Sequence, residues 1–205
     1  MKALIYKDMV AIWKYCRTYI LMCAVFLVMS VFMENYSFLQ MYPLIFMGML
    51  ANTLIAYDER DRWDRQVLAM PVTRKQYVTG KYLTGMILQG TMMVLSAAAC
   101  ALRLAMGDGF GWAVFKDYLA FLLGLAVAAP SLILPFIFKN GSEKGRMAYL
   151  IVLGAIFALA MCGVLVLKKL DMVGVPMDLS VLPAAVLLYP ASWALSVRWY
   201  EKREF

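Results

Sequence analysis

The chain has 205 residues, of which 64% are hydrophobic and only 16% are charged. A soluble domain usually carries about 25% charged residues, so this composition excludes an ordinary soluble protein and indicates a membrane protein. The net charge of +7 does not indicate a nucleic-acid partner. The basic residues cluster at the ends of apolar runs, where membrane proteins use them to set their orientation.

The first 17 residues form an amphipathic segment. Its apolar residues recur at spacings of three and four, and Lys7, Asp8 and Lys14 lie on the opposite face of a helix. The apolar positions are Ile5, Met9, Ile12, Trp13 and Cys16. This pattern predicts a helix over residues 1–17 that lies in the cytoplasmic interface of the membrane. The alternative is that the segment simply extends the first span.

Six apolar runs follow, each close to the roughly 20 residues that a helical span requires. They cover residues 18–33, 41–57, 82–106, 118–138, 147–167 and 179–197. We therefore predict an all-α membrane protein in which residues 1–205 form one domain with six transmembrane helices.

Lysine and arginine predict the orientation of these spans. Sixteen of the 20 basic residues lie on the side of the two termini and four on the other side. By the positive-inside rule both termini are cytoplasmic, and we expect a multi-pass protein of the cell membrane.

The types of residue present argue against an enzyme and against an ion-coupled carrier. The chain has no histidine, and histidine is the commonest general base and metal ligand. All acidic residues lie at the ends of the runs or between them, whereas ion-coupled carriers usually need ionisable groups at depth. No G-x-x-x-x-G-K-[ST] phosphate loop occurs. We predict no catalytic, cofactor-binding or metal site in this chain.

The most charged stretch lies between the second and third runs. Asp58 and Arg62 are four residues apart, as are Asp61 and Arg65, and each pair has the acid first, which is the better order on a helix. The stretch therefore predicts a short helix held by two ion pairs, with Trp63 exposed. Such a tryptophan is either a docking residue for a partner or a side chain that rests in the lipid interface.

A second helix is predicted directly after this stretch. Pro71 ends the first helix, and Thr73 followed by Gln76 matches a capping box. The new helix is expected to continue into the third span.

Two blocks of sequence resemble type-2 ATP-binding-cassette (ABC) permeases. DERDRWDRQVLAMPVTRKQYVTGKY, residues 58–82, resembles their cytoplasmic coupling region, and LPFIFKNGSEKGR, residues 134–146, resembles their loop between spans four and five. In topology the resemblance covers the whole chain. It is nearest to the small bacterial permeases that export amphipathic cytolytic peptides, of the phenol-soluble modulin exporter kind. Larger relatives carry an external element between spans five and six, whereas residues 168–178 leave room only for a turn.

The resemblance implies a transport subunit without its own ATP site. Residues 58–72 would form the coupling helix, and two permease copies, as a homodimer or with a related permease, would each sit on an ABC ATPase subunit that binds ATP and Mg. The cargo would be amphipathic or apolar, such as peptide toxins. The alternative function is a non-transporting membrane scaffold or sensor subunit that docks a cytoplasmic partner. The implied ATPase-docking residues are Asp61, Arg62, Trp63, Asp64 and Arg65, with Glu143 and Arg146 as a second contact.

Overall fold

A computed structural model describes most of the chain. The described residues are 2–33, 36–68, 71–106, 111–144, 147, 151, 154, 158 and 181–202, with the backbone alone at 36–38, 64–65, 68, 113–114, 128–129 and 181–186. Over these ranges the chain is helical and contains no strand. Its principal helices are α1 (Lys2–Tyr15), α2 (Arg17–Phe32), α3 (Tyr36–Arg60), α4 (Trp63–Leu68), α5 (Arg74–Met106), α6 (Trp112–Asn140) and α7 (Val181–Glu201).

Three of these helices are long and apolar enough to cross a membrane. Their candidate spans are Leu39–Arg60, Arg74–Met106 and Phe115–Asn140, and α1 with α2 would supply a fourth if the bent pair is one span. The all-helical membrane class is thereby confirmed, while the number of six spans stays a prediction. The fifth run, residues 147–167, lies almost wholly outside the described residues, and α7 covers most of the sixth run.

α1 meets α2 at an angle of 75°. Ile12 and Cys16 are buried, as the sequence pattern predicts. Met9 packs against the same core, whereas Trp13 is 69% exposed and Asp8, predicted on the opposite face, is 2% exposed and faces the protein. The physical reason is an ion pair between Asp8 and Lys81 of α5. Whether α1 lies in the membrane interface stays a prediction.

The start of α5 packs against the end of α7. The ring of Tyr77 stacks on that of Tyr200, with 5.5 Å between their centroids, and Phe138 of α6 meets Tyr200 edge-on at 5.5 Å. Arg74 donates a hydrogen bond of 2.7 Å to the carbonyl oxygen of Glu201, which satisfies one of the unpaired carbonyls at a helix C-terminus. This end of the bundle carries the charged segment.

Candidate coupling surface and buried charge cluster

Asp61 and Arg62 form a two-residue hinge between α3 and α4. The N–H groups of Asp61 and Arg62 donate to the carbonyl oxygens of Tyr57 and Glu59 at 3.0 and 3.1 Å, which ends α3. Arg62 has a φ of 54°, in the left-handed region that residues with a Cβ rarely adopt. Both hinge side chains are exposed. The hinge therefore presents a carboxylate and a guanidinium side by side at a turn of the backbone.

The predicted ion pair between Asp58 and Arg62 is wrong. The chain turns after α3, so the two residues do not share a helix. Asp58 instead points inward, where its Oδ1 lies 2.7 Å from Lys7 Nζ and its Oδ2 lies 2.6 Å from Lys81 Nζ. The hydroxyl of Tyr77 donates to the same Oδ2 at 3.0 Å.

Lys7, Asp8, Asp58 and Lys81 form one buried charge cluster. Lys81 Nζ also lies 2.8 Å from Asp8 Oδ1, and Lys7 Nζ lies 3.3 Å from that atom. The side chains of Asp8 and Lys81 are 3% and 4% exposed, and that of Asp58 is 12% exposed. The side chain of Lys7 is 28% exposed and keeps some contact with water. Two cations balance two anions, so the cluster is neutral as a whole, and its close contacts offset part of the cost of burying charge. The cluster joins α1, α3 and α5.

Trp63, the first residue of α4, does not protrude into solvent as the sequence predicts. Its side chain is half-buried and packs against a core cluster that includes Val67 and Tyr77. Lys7 Nζ lies 4.5 Å from the centroid of the indole ring, within the range of a cation–π interaction. Trp63 Nε1 is buried and has no hydrogen-bond partner among the described residues. The indole thus links α4 to the charge cluster.

The five predicted docking residues divide into three groups. Asp61 and Arg62 are exposed, Trp63 is half-buried, and Asp64 and Arg65 lie on α4 and are described by their backbone alone. The predicted pair between Asp61 and Arg65 thus lies outside the described side chains. Among the five residues, exposed side chains are thus described at Asp61 and Arg62.

A polar cleft of about 950 Å³ extends to Arg60, the residue before the hinge. It lies between the second half of α3 and the residues after α6, and Asn52, Glu59 and Glu143 are among its lining residues. The N–H of Ser142 donates to Glu59 Oε2 at 2.7 Å and holds the two walls together. Glu143 is exposed at the cleft, whereas Arg146 lies outside the described residues.

The capping box at the start of α5 is confirmed. Gln76 N–H donates to Thr73 Oγ1 at 3.2 Å, and Thr73 N–H donates to Gln76 Oε1 at 3.1 Å. α5 begins at the next residue, Arg74, and runs without interruption to Met106. The segment after the hinge is thereby attached to a long apolar helix.

Comparison with known proteins gives one family. Residues 3–201, almost the whole chain, match the family described as ABC-2 family transporter protein. No significant match to a curated protein or to a solved structure was found. Members of this family are membrane components that lack the ATP-binding motif and act with an ATPase partner, in agreement with the phosphate loop that is missing from the sequence. The chain belongs to the ABC-2 family of transporter proteins, as a permease component of an ABC transporter.

Proposed function

We propose that this permease forms the translocation path of an ATP-driven exporter and that its ATPase docks on the hinge and α4. The observation that carries the proposal is the hinge itself, where Asp61 and Arg62 are exposed and the backbone turns between two helices. An exposed carboxylate and an exposed guanidinium side by side offer a partner two charge-assisted contacts. Trp63 packs beneath the hinge, and Asp64 and Arg65 continue the proposed docking surface along α4.

The charge cluster provides a route from this surface into the membrane. Asp58 lies three residues before Asp61, in the last turn of α3. Its carboxylate holds Lys7 of α1 and Lys81 of α5. We propose that nucleotide-driven closing of the ATPase, which binds ATP and Mg, displaces the hinge, and that α1 and α5 follow through these contacts.

The polar cleft supports a second contact with the ATPase. Glu143 is exposed at its edge, and Arg146 follows three residues later in the sequence. The hydrogen bond between Ser142 and Glu59 ties this loop to the last turn of α3. A partner that touches both the loop and the hinge would therefore act on one connected unit.

Amphipathic or apolar cargo, such as a peptide toxin, agrees with the interior of the described spans. The charge cluster joins the middle of α1 to the last turn of α3 and the first turns of α5, and the buried polar groups farther along the long helices are uncharged, such as those of Asn52, Gln89 and Ser96. A path without fixed charges favours cargo that needs no counter-charge. We propose that two copies form this path in the cell membrane with both termini cytoplasmic.

The hinge can be tested by a substitution that preserves its backbone. Arg62→Asn removes the guanidinium but tolerates a positive φ better than most residues do. We expect the affinity for the ATPase to fall about 5- to 30-fold, as for an interface residue worth roughly 1–2 kcal/mol. Arg17→Asn, at another exposed arginine, is the matched control and should leave binding unchanged.

The readouts are co-purification with the ATPase and ATP hydrolysis stimulated by an amphipathic peptide. Equal binding by both variants would contradict docking at the hinge. If the unaltered complex binds its ATPase but no peptide or lipid stimulates hydrolysis, the alternative of a scaffold or sensor subunit replaces the exporter.

A further inference from the structure

An apolar groove lies between α5, α6 and α7, away from the hinge and the charge cluster. Its volume is about 530 Å³, within the range of about 300–1,000 Å³ typical of small-ligand pockets. It extends along α5 from Thr79 to Met93, which is roughly 21 Å at a rise of about 1.5 Å per residue. Its walls are largely hydrocarbon, and they include Leu83, Met86, Val127 and Pro130.

A lysine lies beside one end of the groove. The indole Nε1 of Trp193 donates to Thr79 Oγ1 at 3.1 Å, which turns the ring across this end. The Nζ of Lys75, an exposed residue, lies 5.3 Å from the centroid of the same ring. A tryptophan beside a lysine is typical of the level of the lipid headgroups, and a lysine there attracts anionic lipids.

We propose that this groove holds one acyl chain of an anionic phospholipid, with the phosphate of the lipid beside Lys75. The groove is long and apolar, with a lysine beside one end, which matches the polarity of a phospholipid. The site goes beyond the transport function and requires only that these helices span the membrane with Lys75 at the cytoplasmic surface.

Gly90 offers a way to fill the groove without disturbing the fold. It lines the groove, is exposed, and a Cβ built on it would meet no atom within 4 Å. A larger side chain at this position also favours the helix, because glycine costs about 1 kcal/mol relative to alanine in a helix interior. Ala98 is an exposed position on the same helix outside the groove, so Ala98→Leu is a matched control for Gly90→Leu.

The test is native mass spectrometry of the full chain after incubation with phosphatidylglycerol and phosphatidylcholine that carry the same acyl chains. We expect the unaltered chain to retain phosphatidylglycerol in preference. Gly90→Leu should lower retention of both lipids at least about tenfold, as expected if two methylene groups lose their apolar contacts, whereas Ala98→Leu should retain lipid normally.

A second set of variants tests the proposed contact between Lys75 and the lipid headgroup. Lys75→Gln should reduce the preference for phosphatidylglycerol roughly fivefold, the effect of one lysine near an anionic headgroup, and Lys75→Arg should restore it. Equal retention of both lipids by the unaltered chain would overturn the proposal, as would normal retention by Gly90→Leu. A disulfide between two chains that carry Gly90→Cys would show that a second copy covers the groove, and this also would overturn it.

Discussion

Replacing Asp58 by asparagine should destabilise the protein although the residue lies in a segment rich in surface charge. Asp58 is the acid that contacts both lysines of the charge cluster most closely, at 2.7 Å from Lys7 and 2.6 Å from Lys81. The asparagine side chain would have almost the same shape but no charge. Lys7, Asp8 and Lys81 would then remain with a net positive charge, with Asp8 and Lys81 almost fully buried and Lys7 28% exposed.

The expected loss of stability depends on which ion pairs the remaining charged residues keep. Removing one member of a buried ion pair costs about 3–5 kcal/mol, because the other charge stays buried without compensation. Lys81 retains Asp8 at 2.8 Å, so we expect the lower end of this range, about 3 kcal/mol. For a chain of this size such a loss lowers Tm by roughly 6–12 °C. Asp61→Asn, at the exposed hinge, should change stability by less than about 0.5 kcal/mol.

A double-variant cycle separates the charge effect from a change in packing. Lys81→Met alone leaves Asp8 and Asp58 with only Lys7, and should also cost about 3 kcal/mol. Combining it with Asp58→Asn leaves Lys7 and Asp8, a neutral pair at 3.3 Å. The double variant should therefore be no less stable than either single variant.

Thermal unfolding of the purified chain in detergent, followed by the loss of its monodisperse fraction, measures these differences. Asp58→Asn and Asp61→Asn with the same Tm would refute the buried cluster. Additive losses in the double variant would show that Asp58 and Lys81 do not interact.

Three further predictions concern the cap, the topology and the indole. Thr73→Ala should lower the free energy of unfolding by about 1 kcal/mol through loss of the N-cap, whereas Thr91→Ala in the interior of the same helix should have little effect, and equal losses would contradict the cap. In intact cells a membrane-impermeant thiol reagent should label Gly109→Cys and not Asp64→Cys; labelling at the second site would reverse the predicted orientation. Trp63→Ala should cost about 2 kcal/mol of stability, roughly half the value for a fully buried tryptophan, besides weakening ATPase binding, and an unchanged Tm would show that the ring is not packed.

Local signals in the sequence predicted the helices and the start of α5 well. Hydrophobic runs and the capping box depend on residues close together in the chain, and a box such as that of Thr73 and Gln76 forms by itself wherever a helix begins. The hinge is harder to predict, because the acid-before-base spacing at Asp58 and Arg62 fits one continuous helix equally well. Arg62 has a positive φ, and the sequence has no glycine at this position to indicate such a turn.

The charge cluster depends on contacts between residues far apart in the chain, and charge pattern along one helix cannot show them. A signal nevertheless existed. Asp8 lies three residues after Ile5 and four before Ile12, so it borders the apolar face, and its assignment to the opposite face was wrong. An acid on an apolar helical face that becomes buried requires a partner. Lys81, which follows Tyr77 by four residues on the buried face of α5, is that partner, but only the folded chain pairs the two.

The energies of these contacts decide how a force on the hinge would travel, if the ATPase docks there as proposed. Separating α3 from α1 and α5 would break the contacts of Asp58 and leave buried charges, at about 3–5 kcal/mol. An exposed ion pair between the hinge and its partner contributes only about 0–1 kcal/mol, so one such contact cannot open the cluster. The motion that costs less carries the last turn of α3, α1 and the start of α5 together as one body. Because α5 is a single helix from Arg74 to Met106, a displacement of its first turn is carried along the helix without a joint at which it could be absorbed.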